Sequence, residues 1–200
     1  MLRLHYAPRT ISVSVAIALN EVGTEYEAIH VDFASAEQTK DDYRRVNPKG
    51  RVPALETPDG ILTETGALLE YVAPSLVPAD PYAAAKMREL MCYLNGTMHP
   101  HHAHGLRGER WADQESSFAD MRQKVPQRIG ECCAYLEEAL PALPFAVGNL
   151  EVVSDAYLYP VLSWLSGDGV DIADFPVLAA FQHKMNTRRS VQAVYEKGML

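Results

Sequence analysis

The first third of the chain places its apolar residues in short alternating segments separated by longer segments with helical spacing. This pattern predicts strands over 2–6, 26–31, 52–57 and 61–63, the last two joined by a Pro58-Asp59-Gly60 hairpin turn. Helices are predicted between the strands, from about residue 10 to Gly23, over about 36–46, and over 64–76. The order βαβαββα, with one crossover and one hairpin, predicts a mixed sheet covered by helices.

The pattern changes after a proline-rich segment. Three prolines fall within residues 74–81, which predicts the end of the preceding helix and a domain boundary. Beyond it the spacing is helical throughout, with long helices over about 83–110 and 117–140 and shorter ones near 153–166, 176–187 and 190–196. We therefore predict an α/β domain over 1–76, a linker over 77–81 and an all-helical domain over 82–200.

Composition and charge narrow the classes of function. The chain has 200 residues, of which 48% are hydrophobic and 22% charged, as is usual for a globular protein. Its 18 basic and 26 acidic side chains give a net charge of -8, which argues against nucleic acid as a partner because phosphates are bound mainly by Lys and Arg. With no membrane-length apolar segment and no signal-peptide core, we expect a cytoplasmic protein without a membrane partner.

The segment from Val46 to Leu55 is the most informative part of the sequence. Lys49 and Arg51 keep it in water as an exposed loop. Val52 is expected to be extended because it precedes Pro53, and Pro53 cannot donate to a sheet. Backbone groups are therefore left free here, and an extended peptide can pair with them by strand addition.

This segment, Asn47-Pro-Lys-Gly-Arg-Val-Pro-Ala-Leu55, is followed by the Asp59-Gly60 turn and by Leu62-Thr-Glu-Thr65. Together they resemble the amino-terminal half of the cytosolic glutathione transferases, in particular bacterial, beta-class-like members. The resemblance spans most of residues 1–75 and continues more weakly to about residue 190. It implies a thioredoxin-like domain that binds glutathione, a helical second domain and a homodimer. It also implies a cis bond before Pro53 and backbone pairing of Val52 with the cysteinyl part of glutathione.

The resemblance also implies how the two ends of glutathione are held. Glu64 and Thr65 open a helix whose free amides and hydroxyl form an anion site suited to a carboxylate, and in the family this pair holds the γ-glutamyl end. The alternative for this pair is an ordinary helix cap. Arg51 and Lys49 are candidates for the glycyl carboxylate, with solvated loop charges as the alternative.

The first helix is where thiol activation is expected. A free thiol has a pKa of about 8.5, so only a small fraction is the reactive thiolate at neutral pH. A hydroxyl donor at a helix amino terminus raises that fraction. Ser12 is the first candidate, Thr10 the second and Tyr6 the third, although Ser12 and Thr10 can equally be helix caps. Ile11 stands where many beta-class enzymes carry a cysteine, which argues against a cysteine-dependent mechanism.

Four histidines fall within residues 99–104. Their one-turn spacing is compatible with metal ligation, but no nearby Cys or Glu completes a set and Pro100 disturbs the helix, so no metal is expected. A solvated histidine face and an acceptor site are the alternatives, and the resemblance favours an acceptor site because this helix lines the interdomain cleft. The acceptor-site candidates are His99, His102, Tyr93 and Trp111, with core packing as the alternative for the two aromatic residues.

The segment from Gly148 to Asp155 resembles the buried capping motif of the family's helical domain. Asp155 fits the residue that reaches back to the preceding backbone. Val152 stands where the capping hydroxyl is expected, so either Ser154 replaces it with a shifted helix start or half of the motif is lost. This feature concerns stability rather than catalysis.

The predicted function is that of a glutathione transferase with a role in detoxification. Glutathione is the expected co-substrate, and its thiolate attacks a hydrophobic electrophile by conjugation, dehalogenation or isomerisation through reversible addition. Two alternatives stay open: a glutathione-dependent isomerase similar to maleylacetoacetate isomerase, and a non-catalytic scaffold or binding protein with the same fold. Retention of Glu64 and Thr65 argues against the scaffold, which need not hold the ends of a ligand.

Overall fold

The computed structural model describes all residues from Met1 to Leu200. Its amino-terminal part has four strands and three helices: β1 (Leu2–Tyr6), α1 (Ser12–Glu21), β2 (Tyr26–His30), α2 (Asp41–Val46), β3 (Ala54–Thr57), β4 (Gly60–Thr63) and α3 (Thr65–Val72). The sheet order is β2-β1-β3-β4, in which β1 pairs parallel with β2 and antiparallel with β3, and β3 pairs antiparallel with β4. The predicted βαβαββα order and mixed, thioredoxin-like sheet are confirmed.

Six helices make up the rest of the chain: α4 (Pro81–Tyr93), α5 (His99–Leu106), α6 (Glu115–Ala139), α7 (Val153–Leu162), α8 (Pro176–Asn186) and α9 (Arg189–Glu196). The predicted long helix over 83–110 is helical from Pro81 to Leu106, but it is not regular, because a π-helical turn over Leu94–Met98 lies between α4 and α5. That turn directly precedes Pro100, which has no amide hydrogen to give to the carbonyl one turn earlier. None of these helices combines the length and apolar character needed to cross a membrane.

Two boundaries in the amino-terminal part differ from the prediction. β3 begins at Ala54 rather than at Val52, since Pro53 cannot join a sheet ladder, and Val52 therefore lies just outside the sheet. The bond between Val52 and Pro53 is cis. α3 ends at Val72, and only a short 3-10 turn over Pro74–Leu76 follows it. The domain bounds at 1–76, 77–81 and 82–200 stay predictions.

Helix α1 is buried by both parts of the chain. Every residue from Ser12 to Leu19 is buried, and α1 packs against α3 on one side and against α7 and α9 on the other. All residues of α7 are buried as well, as expected for a helix that is largely apolar apart from Ser154 and Asp155 at its start. One continuous hydrophobic core therefore joins the sheet to the helical part, and it fixes the amino end of α1.

Asp155 fixes the loop that leads into α7. Its Oδ2 atom accepts hydrogen bonds from the amides of Gly148 at 2.8 Å and Leu150 at 3.0 Å. The carboxyl group thus reaches back to the loop, while Val152, the residue before α7, provides no side-chain cap. Ser154 does not replace it, because its buried hydroxyl has no hydrogen-bond partner.

We expect the Asp155 carboxyl group to make stability depend on pH. Burial raises its pKa to about 7 although amide donors act in the opposite direction, compared with about 3.9 in an unfolded chain. Because the folded pKa is the higher one, the contribution is complete below about pH 4 and is lost as the pH rises through about 7. Relative to Asp155→Asn, the free energy of unfolding in urea should fall by up to about 4 kcal/mol between these pH values. A difference that does not change with pH would contradict this.

Candidate active site

A cleft of about 1250 Å³, including its open mouth, lies between the two parts of the chain. The amino-terminal part contributes the start of α1, the loop before β3 and the start of α3, while the helical part contributes α5, the turn that follows it and Trp164. Ten predicted site residues line this cleft: Thr10, Lys49, Arg51, Val52, Pro53, Glu64, Thr65, His99, His102 and Trp111.

Three predicted site residues do not reach the cleft. Tyr6 lies at the end of β1 with its ring 5.7 Å from that of His30. Tyr93 precedes the π-helical turn and packs on Tyr135 with ring centroids 4.6 Å apart, so it has a packing role. Ser12, the first candidate for the catalytic hydroxyl, is fully buried. None of the three is placed to touch a molecule bound in the cleft.

Ser12 instead supports Thr10, which does line the cleft. The Ser12 Oγ atom accepts the amide hydrogen of Ala7 at 3.1 Å and lies 2.6 Å from Thr10 Oγ1. Thr10 Oγ1 donates to the carbonyl of Ala7 at 2.8 Å and accepts the amide hydrogen of Ser12, the first residue of α1, at 3.3 Å, so Thr10 takes part of the capping role. The amides of Thr10 and Ile11 donate to no protein group. The start of α1 thus presents a half-exposed hydroxyl and two unpaired amides.

The helical part holds the backbone immediately before Thr10. Arg9 has a φ of 58°, in the left-handed region that residues with side chains rarely adopt. Its amide donates to the carbonyl of Met199 at 2.9 Å, and its carbonyl accepts from the indole of Trp164 at 3.0 Å. Sequence reasoning missed Trp164, because no local pattern marks a partner 155 residues away.

The loop before β3 holds Val52 in an open position. The side chains of Asn47 and Tyr43 donate to the carbonyl of Arg51 at 2.6 and 2.7 Å, which fixes the backbone one residue earlier. The amide and carbonyl of Val52 form no hydrogen bond within the protein. Val52 therefore offers one donor and one acceptor to an extended peptide.

Glu64 and Thr65 form a third side of the cleft, after the start of α1 and the loop before β3. Glu64 has a φ of 71°, a strained conformation of the kind that often occurs at binding sites. Its Oε1 atom lies 2.5 Å from Lys49 Nζ, which also donates to Thr63 at 2.7 Å. Thr65 begins α3, where backbone amides have no intrahelical acceptor. Lys49 is thus engaged with Glu64, and the start of α3 is open to an anion.

His102 is held rigidly on the opposite wall. Its Nδ1 atom lies 2.7 and 2.8 Å from the two carboxylate oxygens of Asp168. Its ring stacks on Trp164 with centroids 4.4 Å apart and an interplanar angle of 24°. Asp168 was not predicted, since it lies 66 residues from His102 in sequence. The stack continues through the Trp164 indole to Arg9, so it connects both walls of the cleft.

His99 lies beside the same indole, with ring centroids 5.0 Å apart. Burial, and after it the nearby cationic groups on His102 and Arg107, lowers the pKa of His99 to about 4. His99 is therefore neutral at physiological pH. The histidines of this segment do not combine with Cys, Asp or Glu side chains into a group of three that could hold a metal ion.

The cleft is more polar and more positively charged than a binding site for the predicted hydrophobic electrophile would need to be. Only 7 of its 24 lining residues are hydrophobic. Its lining carries one carboxylate, Glu64, and five cationic side chains, of which only Lys49 is paired with it. The other four are Arg9, Arg51, Arg107 and Arg110. In a chain with a net charge of -8, positive charge is concentrated at this one place and attracts anions.

We expect Asp168→Ala to release His102 from Trp164. In a Trp111→Phe background Trp164 is the sole tryptophan, so its fluorescence reports the stacked imidazole. Loss of the hydrogen bond should change this emission and lower the free energy of unfolding by about 1–3 kcal/mol. Asp174→Ala, which removes an exposed carboxylate nearby, serves as the control. Identical emission from the two variants would show that Asp168 does not hold the ring.

Comparison with known proteins extends these observations. A family model described as the N-terminal domain of glutathione S-transferase matches residues 3–74. The chain is 30% identical over 199 residues to glutathione S-transferase GstA of Escherichia coli O157:H7, with 96% of each chain covered. It is 28% identical to a maleylacetoacetate isomerase of Pseudomonas aeruginosa, with 86% of this chain and 84% of that one covered.

A solved structure is similar over the whole chain. It is the crystal structure of a glutathione transferase homologue from Sulfitobacter with bound glutathione, 51% identical, with a TM-score of 0.94 and coverage of 100% of this chain and 99% of that one. The similarity includes both the thioredoxin-like sheet and the helical part. On these grounds the chain belongs to the glutathione S-transferase family.

Proposed function

We propose that the protein is a glutathione transferase that activates the thiol of glutathione for attack on an electrophile in the cleft. The observation that carries this proposal is the unpaired amide and carbonyl of Val52, which lie in the same cleft as Thr10 and Thr65. An extended tripeptide needs backbone partners at its centre, a carboxylate site at one end and a donor for its sulfur, and this cleft offers all three. Bound glutathione in the Sulfitobacter homologue supports the proposal.

Each end of glutathione has a proposed partner. The γ-glutamyl carboxylate binds Thr65 and the free amides at the start of α3, while the γ-glutamyl ammonium binds the Glu64 carboxylate. The glycyl carboxylate binds Arg51, whose charge has no partner in the protein. Lys49 was predicted to share this role, but its ammonium group already binds Glu64 and Thr63. We therefore assign Lys49 to the positioning of Glu64.

We propose Thr10, rather than Ser12, as the hydroxyl that donates to the sulfur. Thr10 Oγ1 donates to the Ala7 carbonyl at 2.8 Å in the structure, and it turns to the sulfur when glutathione binds. Hydrogen bonds then run from the Ala7 amide to Ser12, from Ser12 to Thr10, and from Thr10 to the sulfur, so that each polarises the next. The unpaired amides of Thr10 and Ile11 and the dipole of α1 add positive potential. Together these donors stabilise the thiolate over the thiol. Ser12 is then a positioning residue.

The thiolate forms a carbon–sulfur bond with the electrophile. In conjugation or dehalogenation, a halide leaves with the electron pair of its bond to carbon. In isomerisation, the electron pair moves onto a conjugated carbonyl and returns when the sulfur leaves after bond rotation. The similarity to a maleylacetoacetate isomerase makes isomerisation the second candidate function. The homodimer and the cytoplasmic location stay predictions that rest on the family resemblance.

We expect Thr10→Val to raise the pKa of bound glutathione by about 1 pH unit or more, because the sulfur loses its hydroxyl donor. Thr10→Ser keeps the hydroxyl and should behave like the unmodified protein. Ser12→Ala should raise the pKa less, since Ser12 acts through Thr10. Ultraviolet titration of the bound thiolate measures all three values. A larger effect of Ser12→Ala than of Thr10→Val would make Ser12 the donor.

Immobilised glutathione tests the function itself. We expect the protein to be retained, to be eluted by free glutathione, and to conjugate glutathione with chlorodinitrobenzene. Glu64→Gln should weaken retention because the ammonium group loses its carboxylate, whereas Glu138→Gln, an exposed substitution on α6, should not. Retention with isomerase activity alone would favour the second candidate function. Absence of retention would favour the scaffold protein.

A further inference from the structure

We propose that the acceptor side of the cleft binds an anionic electrophile, in which a carboxylate is attached to a flat aromatic or unsaturated body, and that Arg107 and Arg110 bind the carboxylate. This inference rests on the proposed function, because the acceptor site is defined by glutathione in the neighbouring groove. It narrows the hydrophobic electrophile predicted from the sequence to one that also carries a carboxylate.

Several positive charges in the cleft have no acidic partner. Arg9, Arg51, Arg107 and Arg110 line one cleft, and none forms a salt bridge, although seven other arginines or lysines of the chain pair with an acidic side chain outside the cleft. Partial burial lowers the pKa of both the Arg107 and the Arg110 guanidinium groups. The positive charges of neighbouring arginines act in the same direction, while the nearby Glu109 carboxylate opposes them. Such a group of like charges is stabilised when an anion binds among them.

The carboxylates of glutathione do not account for Arg107 and Arg110. Glutathione carries two carboxylates, and the proposed function assigns one to Thr65 and the other to Arg51. Both partners belong to the amino-terminal part of the chain. Arg107 and Arg110 come from the opposite wall, at the end of α5 and in the turn after it. An anion that satisfies them therefore has to come from the second substrate.

Aromatic and apolar side chains lie around these two guanidinium groups. Arg107 is held across the cleft, with its guanidinium carbon 5.5 Å from the centre of the Phe33 ring. Trp111 follows Arg110 directly and leaves 48% of its surface exposed, and Leu106 lies just before Arg107. Flat apolar surface next to guanidinium donors suits a planar carboxylate on an apolar body, since arginine binds carboxylates with two parallel hydrogen bonds.

A matched pair of probes separates charge from shape. The first is chlorodinitrobenzoate with its chlorine para to the carboxylate, and the second is the neutral methyl ester of the same compound. With either probe the thiolate bonds to the ring carbon that carries chlorine, and chloride leaves with the electron pair of the broken bond. The carboxylate lies at the opposite end of the ring, so the two arginines can bind it without touching the reacting atoms.

We expect the unmodified protein to prefer the benzoate to the ester in kcat/KM. This selectivity ratio should fall by about 10- to 100-fold in the Arg107→Gln, Arg110→Gln double variant, and by less in each single variant, because a charged hydrogen bond is lost. Arg44→Gln removes the same charge from an exposed position on α2 outside the cleft and should keep the ratio. Unfolding midpoints show whether each variant is folded, and the single variants carry the test if the double variant is not.

The outcomes distinguish this proposal from the proposed function. An unchanged selectivity ratio together with a raised KM for glutathione would mean that the two arginines bind the glycyl carboxylate, and it would overturn the proposal. If neither probe is turned over, the transferase function fails and the anion site is tested by calorimetry, using unreactive dinitrobenzoate and dinitrobenzamide with glutathione-saturated protein. Tighter binding of the benzoate that is lost in the arginine variants supports the site, and equal binding of the two compounds overturns it.

Discussion

The hydrogen bond from the Trp164 indole to the carbonyl of Arg9 is the interaction on which the geometry of the site depends. It holds Arg9 in a left-handed conformation, and this conformation decides where Thr10 and the first turn of α1 point. The same indole lies under His102 and beside His99. One side chain of the helical part therefore positions groups on both walls of the cleft. The cleft is a property of the assembled molecule, since neither part carries the complete set.

Electrostatics divides the molecule into two unequal regions. The chain as a whole has a net charge of -8, while the cleft holds four arginines that form no salt bridge. Holding like charges together costs free energy, and this cost falls when an anion binds among them. Such an arrangement gives a negatively charged molecule a faster approach to the cleft than to the rest of the surface. It also makes the preference for charged over neutral molecules depend on salt.

Local sequence patterns predicted the features of the site that depend on neighbouring residues. Pro53 cannot donate a hydrogen bond to the sheet, and it restricts Val52 to an extended conformation. The open backbone at Val52 could therefore be predicted from the sequence. The features that failed depend on distant contacts. The choice between Thr10 and Ser12 is made by the backbone of Ala7 and by the contact of Arg9 with Trp164. Asp168 has no signal in its own segment that connects it to His102.

The placement of Tyr93 failed for a different reason. Tyr93 and His99 were both predicted to belong to the acceptor site, in one helix over about 83–110. A π-helical turn lies between them and adds one residue to the turn, which rotates everything after it by about 100° relative to a regular helix. Tyr93 consequently packs on Tyr135, while His99 lines the cleft. The sequence indicated that Pro100 disturbs the helix. It did not show whether the extra residue of the π-helical turn would lie before or after Pro100.

The burial of α1 by both parts of the chain has a consequence for protein engineering. Chimeras that exchange the helical half between family members to transfer substrate preference would also replace the surfaces of α7 and α9 that pack on α1. A successful graft would have to reproduce these surfaces and supply an indole donor for Arg9. Recombination breakpoints in the proline-rich segment over 74–81 would therefore keep each part of the fold intact. They would still separate the start of α1 from Trp164, α7 and α9, which hold it in place.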